Sequence, residues 1–240
     1  MKTIGLIGGM SWTSTLEYYR LLNELTARRT GGSHFAKVIL YSLDFGEVER
    51  IQHGGRWDEA AKLLTEAGRA LKAAGADFLL ICSNTMHIVA DAVQKGTGLP
   101  LLHIADVTGD AIRRSGLKRV GLLGTKFVME SGFYRERLEE KFGLKVLVPD
   151  EEDRDVVHRV IYDELCKGVV AEESRAAYLE IVRRLMGRGA EGIILGCTEI
   201  TLLLRPEDSP VPVFDTTRLH AEAAVRMALE GEGMPNTSRI

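Results

Sequence analysis

Short apolar runs alternate with longer amphipathic stretches along most of the chain. Residues 3–7, 37–41, 78–82, 119–123, 145–148 and 192–195 read as strands, each four or five residues long and mostly bounded by glycine or charge. Helical spacing fills the gaps. Over 57–74, Ala60, Leu63, Leu64, Ala67, Ala70, Leu71 and Ala74 fall on one helix face. Over 175–186, Tyr178, Ile181, Val182 and Leu185 do the same, behind a predicted N-cap at Ser174. Ser14 and Glu17 have the spacing of a capping box. From Val211 the pattern predicts a last strand and a last helix. Continuous apolar strands separated by helices predict α/β architecture, with parallel sheets covered on both faces.

The pattern also repeats. K-T-I-G-L-I-G-G from Lys2 resembles K-R-V-G-L-L-G-T from Lys118, and G-A-D-F-L-L-I-C-S-N-T from Gly75 resembles G-A-E-G-I-I-L-G-C-T-E from Gly189. Two matches in the same order at nearly one offset predict two α/β lobes of similar plan. The expected division is residues 1–98 plus 214–230 for the first lobe and 99–213 for the second, with 231–240 a loose tail that lacks periodicity. The repeat aligns Cys82 with Gly196, Ser83 with Cys197 and Asn84 with Thr198. Ser83, not Cys82, therefore stands where the second half carries a cysteine.

Composition narrows the class. Of 240 residues, 45% are hydrophobic and 27% charged, with a net charge of −3, which fits a globular protein with a sizeable core. No clustered basic surface suggests a nucleic-acid partner, and no apolar run approaches a membrane span. The opening M-K-T-I-G-L-I-G-G-M is too short in apolar residues for a signal-peptide core and reads as a strand. Three widely spaced cysteines do not form a disulfide framework, so a cytoplasmic setting with reduced thiols is expected.

Ligands of parallel α/β sheets bind beyond the carboxyl ends of the strands. Four such ends are small and polar: residues 8–11, 83–85, 124–125 and 197–199. Cys197 is the leading candidate. A thiol at a helix N-terminus has a lowered pKa and serves as a base or nucleophile. Cys82 alternates to the other side of its strand and reads as core; Cys166 has no assigned role. His87, four residues after Ser83, reads either as a group that orients the site or as a structural hydrogen-bonder; His103 and His220, in apolar company, read as structural. G-L-I-G-G-M departs from the dinucleotide-binding G-x-G-x-x-G, no cluster has metal-ligand spacing, and no G-x-S-x-G elbow makes Ser83 a hydrolase nucleophile.

Together, G-L-I-G-G-M-S near the start, C-S-N-T-M-H at Cys82, G-L-L-G-T-K at Gly121, G-C-T-E-I at Gly196 and F-D-T-T-R-L-H-A at Phe214 resemble the cofactor-independent aspartate/glutamate racemase family over nearly the whole chain. The resemblance implies two flavodoxin-like three-layer lobes with mostly parallel sheets, related by a pseudo-twofold, with the active site between them. It implies an amino-acid substrate of the Asp/Glu type, a homodimer, and neither pyridoxal phosphate nor metal. In that family two cysteines work on opposite faces of the substrate Cα, one removing the α-proton and the other donating a proton. They map to Ser83 and Cys197, the only departure in the first motif, which resembles a broad-specificity amino-acid racemase branch with threonine at this place. Met10, Ser11, Asn84, Thr85, Thr125, Thr198 and Glu199 map to substrate-binding positions. Gln52 falls where aspartate racemases have an arginine for the distal carboxylate, and Cys166, beside Lys167, where they have a lysine.

A serine hydroxyl is a poor base at neutral pH, because a general base works best with a pKa near the operating pH. Rates measured from the two enantiomers are therefore expected to differ. The second family cysteine faces the L-enantiomer, so the expectation is a bias towards L-Glu or L-Asp. Two alternatives stand beside it: an amino-acid-binding or sensing protein of little activity, and a single-cysteine decarboxylase or isomerase on the same scaffold.

Overall fold

The computed structural model describes residues 1–230, so the tail expected over 231–240 lies outside the described residues. Each apolar run becomes a strand. β1 (Ile4–Gly8), β2 (Val38–Ser42) and β3 (Phe78–Ile81) form one sheet in the order β2-β1-β3. β4 (Arg119–Gly124), β5 (Lys145–Leu147), β6 (Gly192–Gly196) and β7 (Val213–Asp215) form another in the order β5-β4-β6-β7. All pairings are parallel. Helices fill the connections: α1 (Trp12–Thr30), α2 (Phe45–His53), α3 (Trp57–Ala73), α4 (Ala90–Thr97), α5 (Ile104–Ser115), α6 (Lys126–Glu130), α7 (Phe133–Phe142), α8 (Glu151–Asp163), α9 (Glu172–Gly187), α10 (Ile200–Leu203) and α11 (Thr216–Leu229).

The internal repeat is visible in the hydrogen bonds. Asp77 Oδ2 accepts from the Thr3 N–H, and in the second lobe Glu191 Oε2 accepts from the Lys118 and Arg119 N–H groups, so an acidic residue before β3 and β6 ties down the start of the central strand. Gly75 and Gly189 precede these acids with φ of +98° and +97°, a left-handed turn that only glycine takes without strain. The Leu79 N–H donates to the Pro100 carbonyl, as the Ile193 N–H does to that of Pro212. Leu101 thus bridges to β3 where β7 pairs with β6.

The helix after each of these fourth positions crosses to the other lobe. Ala221, Ala224, Val225 and Ala228 of α11 complete the core of Ile4, Leu6, Phe78 and Leu80 in the first lobe. Ile104, Ala105 and Ile112 of α5 complete the core of Val120, Leu122 and Ile194 in the second. The expected divisions at 98/99 and 213/214 lie just before these crossings: residues 100–102 still run along β3, and Phe214 and Asp215 still pair with β6.

Three local expectations are corrected. Ser174 is not an N-cap; α9 starts one turn earlier, and the buried Ser174 hydroxyl donates to Glu164 Oε2. Ser14 lies inside α1, so it makes no capping box, and its hydroxyl is drawn to a distant carboxylate. The first sheet is not covered throughout, since β2 is an open edge with Leu40 and Tyr41 exposed. No described helix is long and apolar enough to cross a membrane.

Candidate active site

The two central strands end in small residues, Gly8 on β1 and Gly124 on β4, and their neighbours β3 and β6 run straight into Ser83 and Cys197. These ends open on one cavity lined by both lobes. Met10, Ser11, Ser83, Asn84 and Thr85 come from the first, and Thr125, Cys197, Thr198 and Glu199 from the second. A second wall comes from helices rather than strand ends: Phe45 and Gln52 of α2, Ile161 and Tyr162 of α8, and Cys166 in the turn after it.

Hydroxyls and amides stitch the strand-end wall together. Thr85 and Thr125 share a hydrogen bond of 2.9 Å across the lobes, and the Thr125 hydroxyl also accepts from the Val128 N–H to start α6. Thr198 bonds Thr217 at 2.8 Å. Asn84 donates through Nδ2 to Thr216 Oγ1, at 3.0 Å. Its Oδ1 is buried with no partner, the one such side-chain atom among the described residues. A buried acceptor left unpaired is costly, and this one belongs to a residue that lines the cavity.

The Cys197 side is organised around a carboxylate. The thiol donates to Glu199 Oε2 at 3.0 Å, while Ser11 and Ser14 both donate to Glu199 Oε1 at 2.8 Å. Glu199 is itself buried. The expectation of a lowered thiol pKa is overturned. Only the single turn of α10 follows, and burial together with the adjacent Glu199 charge holds the Cys197 thiol well above the ordinary cysteine value. The neutral thiol is the resting form, with a proton acceptor already in contact.

Among the described residues that line the cavity, the Ser83 side has no carboxylate. Ser83 Oγ accepts from the Met86 N–H at 3.4 Å, and where the second lobe has Glu199 the repeat puts Thr85. His87 does not line the cavity. It sits behind Ser83, donating from Nδ1 to the Ser83 carbonyl at 2.7 Å and accepting at Nε2 from the Ile104 N–H. This fixes a neutral tautomer and anchors the backbone that carries Ser83. His103 and His220 pack against its ring, with centroids 4.8 and 5.6 Å away. His103 caps α5 through Nδ1, and His220 joins the Tyr18 hydroxyl to the Leu102 carbonyl. Burial, then the neighbouring positive groups, lowers all three: His103 to about 2 and His220 to about 3.

The matching family model, Asp/Glu/hydantoin racemase, covers residues 7–224. The chain belongs to this family. Among its racemase relatives, the broad specificity amino-acid racemase RacX of Bacillus subtilis (strain 168) is 23% identical over 234 residues, covering 92% of this chain and 96% of its own. A Yersinia pestis protein of known crystal structure, provisionally assigned as an Asp/Glu racemase, is 53% identical with a TM-score of 0.90, over 96% of this chain and 100% of that one. PH1733 of Pyrococcus horikoshii OT3, an aspartate racemase homologue, is 35% identical with a TM-score of 0.84, over 96% and 100%.

Within this racemase scaffold, two expected binding residues part ways. Gln52 is buried in the cavity wall, its Oε1 accepting from the Tyr162 hydroxyl at 3.4 Å. Lys167 is outside the wall; its exposed amine is 3.7 Å from Asp163. Cys166, one residue earlier, takes the place on the wall. Cys82 is fully buried in the first-lobe core, as its alternation implied. Sequence reasoning missed Ser14, Phe45, Ile161 and Tyr162. The only signal for Tyr162 was its position four residues before Cys166, at the end of the helix that precedes the Cys166 turn. Among the described residues no group of three or more His, Cys, Asp or Glu is placed to hold a metal ion.

Proposed function

We propose that the protein is an amino-acid racemase that moves one proton at the substrate Cα, with Cys197 as the acid–base group on one face and Ser83 on the other. The observation that carries this reading is the 3.0 Å contact between the Cys197 thiol and Glu199, in a cavity that Ser83 also lines. Glu199 accepts the thiol proton and the transient thiolate removes the α-proton. The carbanion then takes a proton back from the Cys197 thiol on the same face, or from the Ser83 hydroxyl on the other, which water reprotonates while Glu199 returns its proton to the Cys197 side. The Asn84 amide suits the substrate ammonium, and the hydroxyls of Thr85, Thr125 and Thr198 suit the α-carboxylate, with Met10 and the Glu199-bound Ser11 beside them.

The expected handedness takes a sharper form. Enantiomers have equal free energy, so the kcat/KM of racemisation must be equal in both directions. Asymmetry between the two faces shows instead as isotope exchange. The L-enantiomer, which the family resemblance turns towards Cys197, loses and regains its α-hydrogen on the same face faster than it inverts. ¹H NMR in D₂O with both enantiomers of common amino acids tests the activity; a protein that exchanges no α-hydrogen of any of them is not a racemase.

A homodimer belongs to the same proposal. Trp12, Leu16 and Tyr19, on one face of α1, and Leu40 and Tyr41, on β2, supply exposed apolar surface for it. Light scattering is expected to give a mass near twice 26.5 kDa, and a mass near 26.5 kDa rejects the dimer.

A further inference from the structure

Resting on the racemase reading, we propose that the substrate is an α-amino acid with an uncharged side chain, selected by Gln52, Tyr162 and Cys166. The strand-end wall supplies the groups that suit an ammonium and an α-carboxylate, so the substrate side chain meets the helix wall. That wall is Phe45, Gln52, Ile161, Tyr162 and Cys166, and none of them carries a charge at neutral pH. Burial first, then the charges of Glu199 and Glu49, pushes the Cys166 thiol up to about 12, so it stays neutral. Tyr162 is raised too, by burial first and then by nearby acidic groups.

Both charged classes are disfavoured for separate reasons. A second carboxylate needs a cation or several donors once water is removed. Among the described residues no Lys, Arg or His lines the cavity; of those that directly follow a lining residue, Lys167 is exposed and paired with Asp163, Lys126 is paired with Asp155, and the His53 ring packs between Phe127 and Tyr162. The Glu199 charge in the same cavity adds repulsion. A cationic side chain finds only Glu199 among the lining carboxylates of the described residues, and Glu199 is already held by Cys197, Ser11 and Ser14 at the strand-end wall. What the helix wall does offer is apolar surface from Phe45 and Ile161, with the Gln52 amide and Tyr162 hydroxyl joined to each other.

Two readouts on the full chain test this separately from the reaction. Titration calorimetry with Ala, Ser, Met, Leu and Gln, against Asp and Glu and against Lys and Arg, ranks the side chains whether or not turnover occurs. α-Proton exchange in D₂O ranks the same panel by kcat/KM. The best neutral amino acid is expected to lead every charged one at least tenfold in binding, and in exchange if the racemase reading holds. Tightest binding by Asp, Glu, Lys or Arg overturns the proposal. Binding of neutral amino acids without exchange overturns the racemase reading and leaves the side-chain class standing. Gln52→Arg is expected to move the preference at least tenfold towards Asp or Glu, and an unchanged ranking in the folded variant contradicts the role given to Gln52.

Discussion

The ends of β3 and β6 occupy equivalent places in the two lobes, yet they carry different proton chemistry. At Cys197 a thiol sits 3.0 Å from a buried carboxylate that two serine hydroxyls hold in place. At Ser83 the hydroxyl meets only a backbone N–H, and its backbone is pinned from behind by His87. The surrounding fold is nearly the same on both sides, down to the acidic residue before each strand and the proline carbonyl beside it. Symmetry of scaffold therefore does not impose symmetry of chemistry. On the proposed reading, two differences at repeat-related positions, Cys197 against Ser83 and Glu199 against Thr85, separate a proton-transfer face from a weak relay.

Removing the stronger side should have the largest effect. Cys197→Ala is expected to lower α-proton exchange from the L-enantiomer by about 10³- to 10⁴-fold, the upper range for losing a positioned acid–base group. Calorimetric binding should change little, which separates chemistry from occupancy. Next comes the carboxylate. Glu199→Gln keeps the shape and the serine contacts but loses the proton acceptor, and exchange is expected to fall about 10²-fold. The pH profile sharpens this. With the thiol pKa raised by burial and by Glu199, thiolate is scarce at neutrality, and exchange should climb with pH above 7. In the Gln variant one raising influence is gone, so the climb should begin at lower pH.

The smallest effect concerns the histidine backing of the Ser83 side. His87, His103 and His220 are neutral in the fold, with values far below the ordinary 6.5. A lowered folded value means that the unfolded chain takes up protons first. The stability they confer is complete above pH 6.5 and drains as pH falls from there towards about 3, by up to about 1.4 kcal/mol per pH unit for each ring. Thermal melts between pH 7 and 4 should show this loss, and His103→Asn, which keeps a capping side chain on α5, should reduce the slope. An unchanged slope would remove His103 from the account.

The same comparison shows what the sequence could and could not reveal. The strands, their order of appearance and the pairing of Ser83 with Cys197 were legible, because apolar runs and turn glycines repeat along the chain. The return of the last helix to the first lobe was expected as well; what the pattern did not show is that Phe214 and Asp215 before it stay paired with β6, and that residues 100–102 stay along β3. Which strand a short segment joins depends on the three-dimensional course of the chain. The thiol pKa was read in the wrong direction because a helix start was assumed and Glu199 was taken as a substrate group. Contact between residues two apart at a strand end depends on local turn geometry, not on spacing. Lys167 and Cys166 differ by one step, about 120° around a 3₁₀ turn, which sends one to solvent and the other to the cavity. Ser14 was read as a cap because its partner Glu199 is 185 residues away.

The central claim is that one face transfers protons and the other scarcely does. It is tested most directly by following both substrate pools in D₂O by NMR, using the neutral amino acid that exchanges best. Starting from the L-enantiomer, the account predicts that deuterium accumulates at Cα in unreacted L faster than D appears. Starting from D, unreacted D should keep its protium while the L product is deuterated, and Ser83→Cys should bring exchange in the D pool up towards that of the L pool. Equal exchange into both unreacted pools in the natural protein would contradict the account.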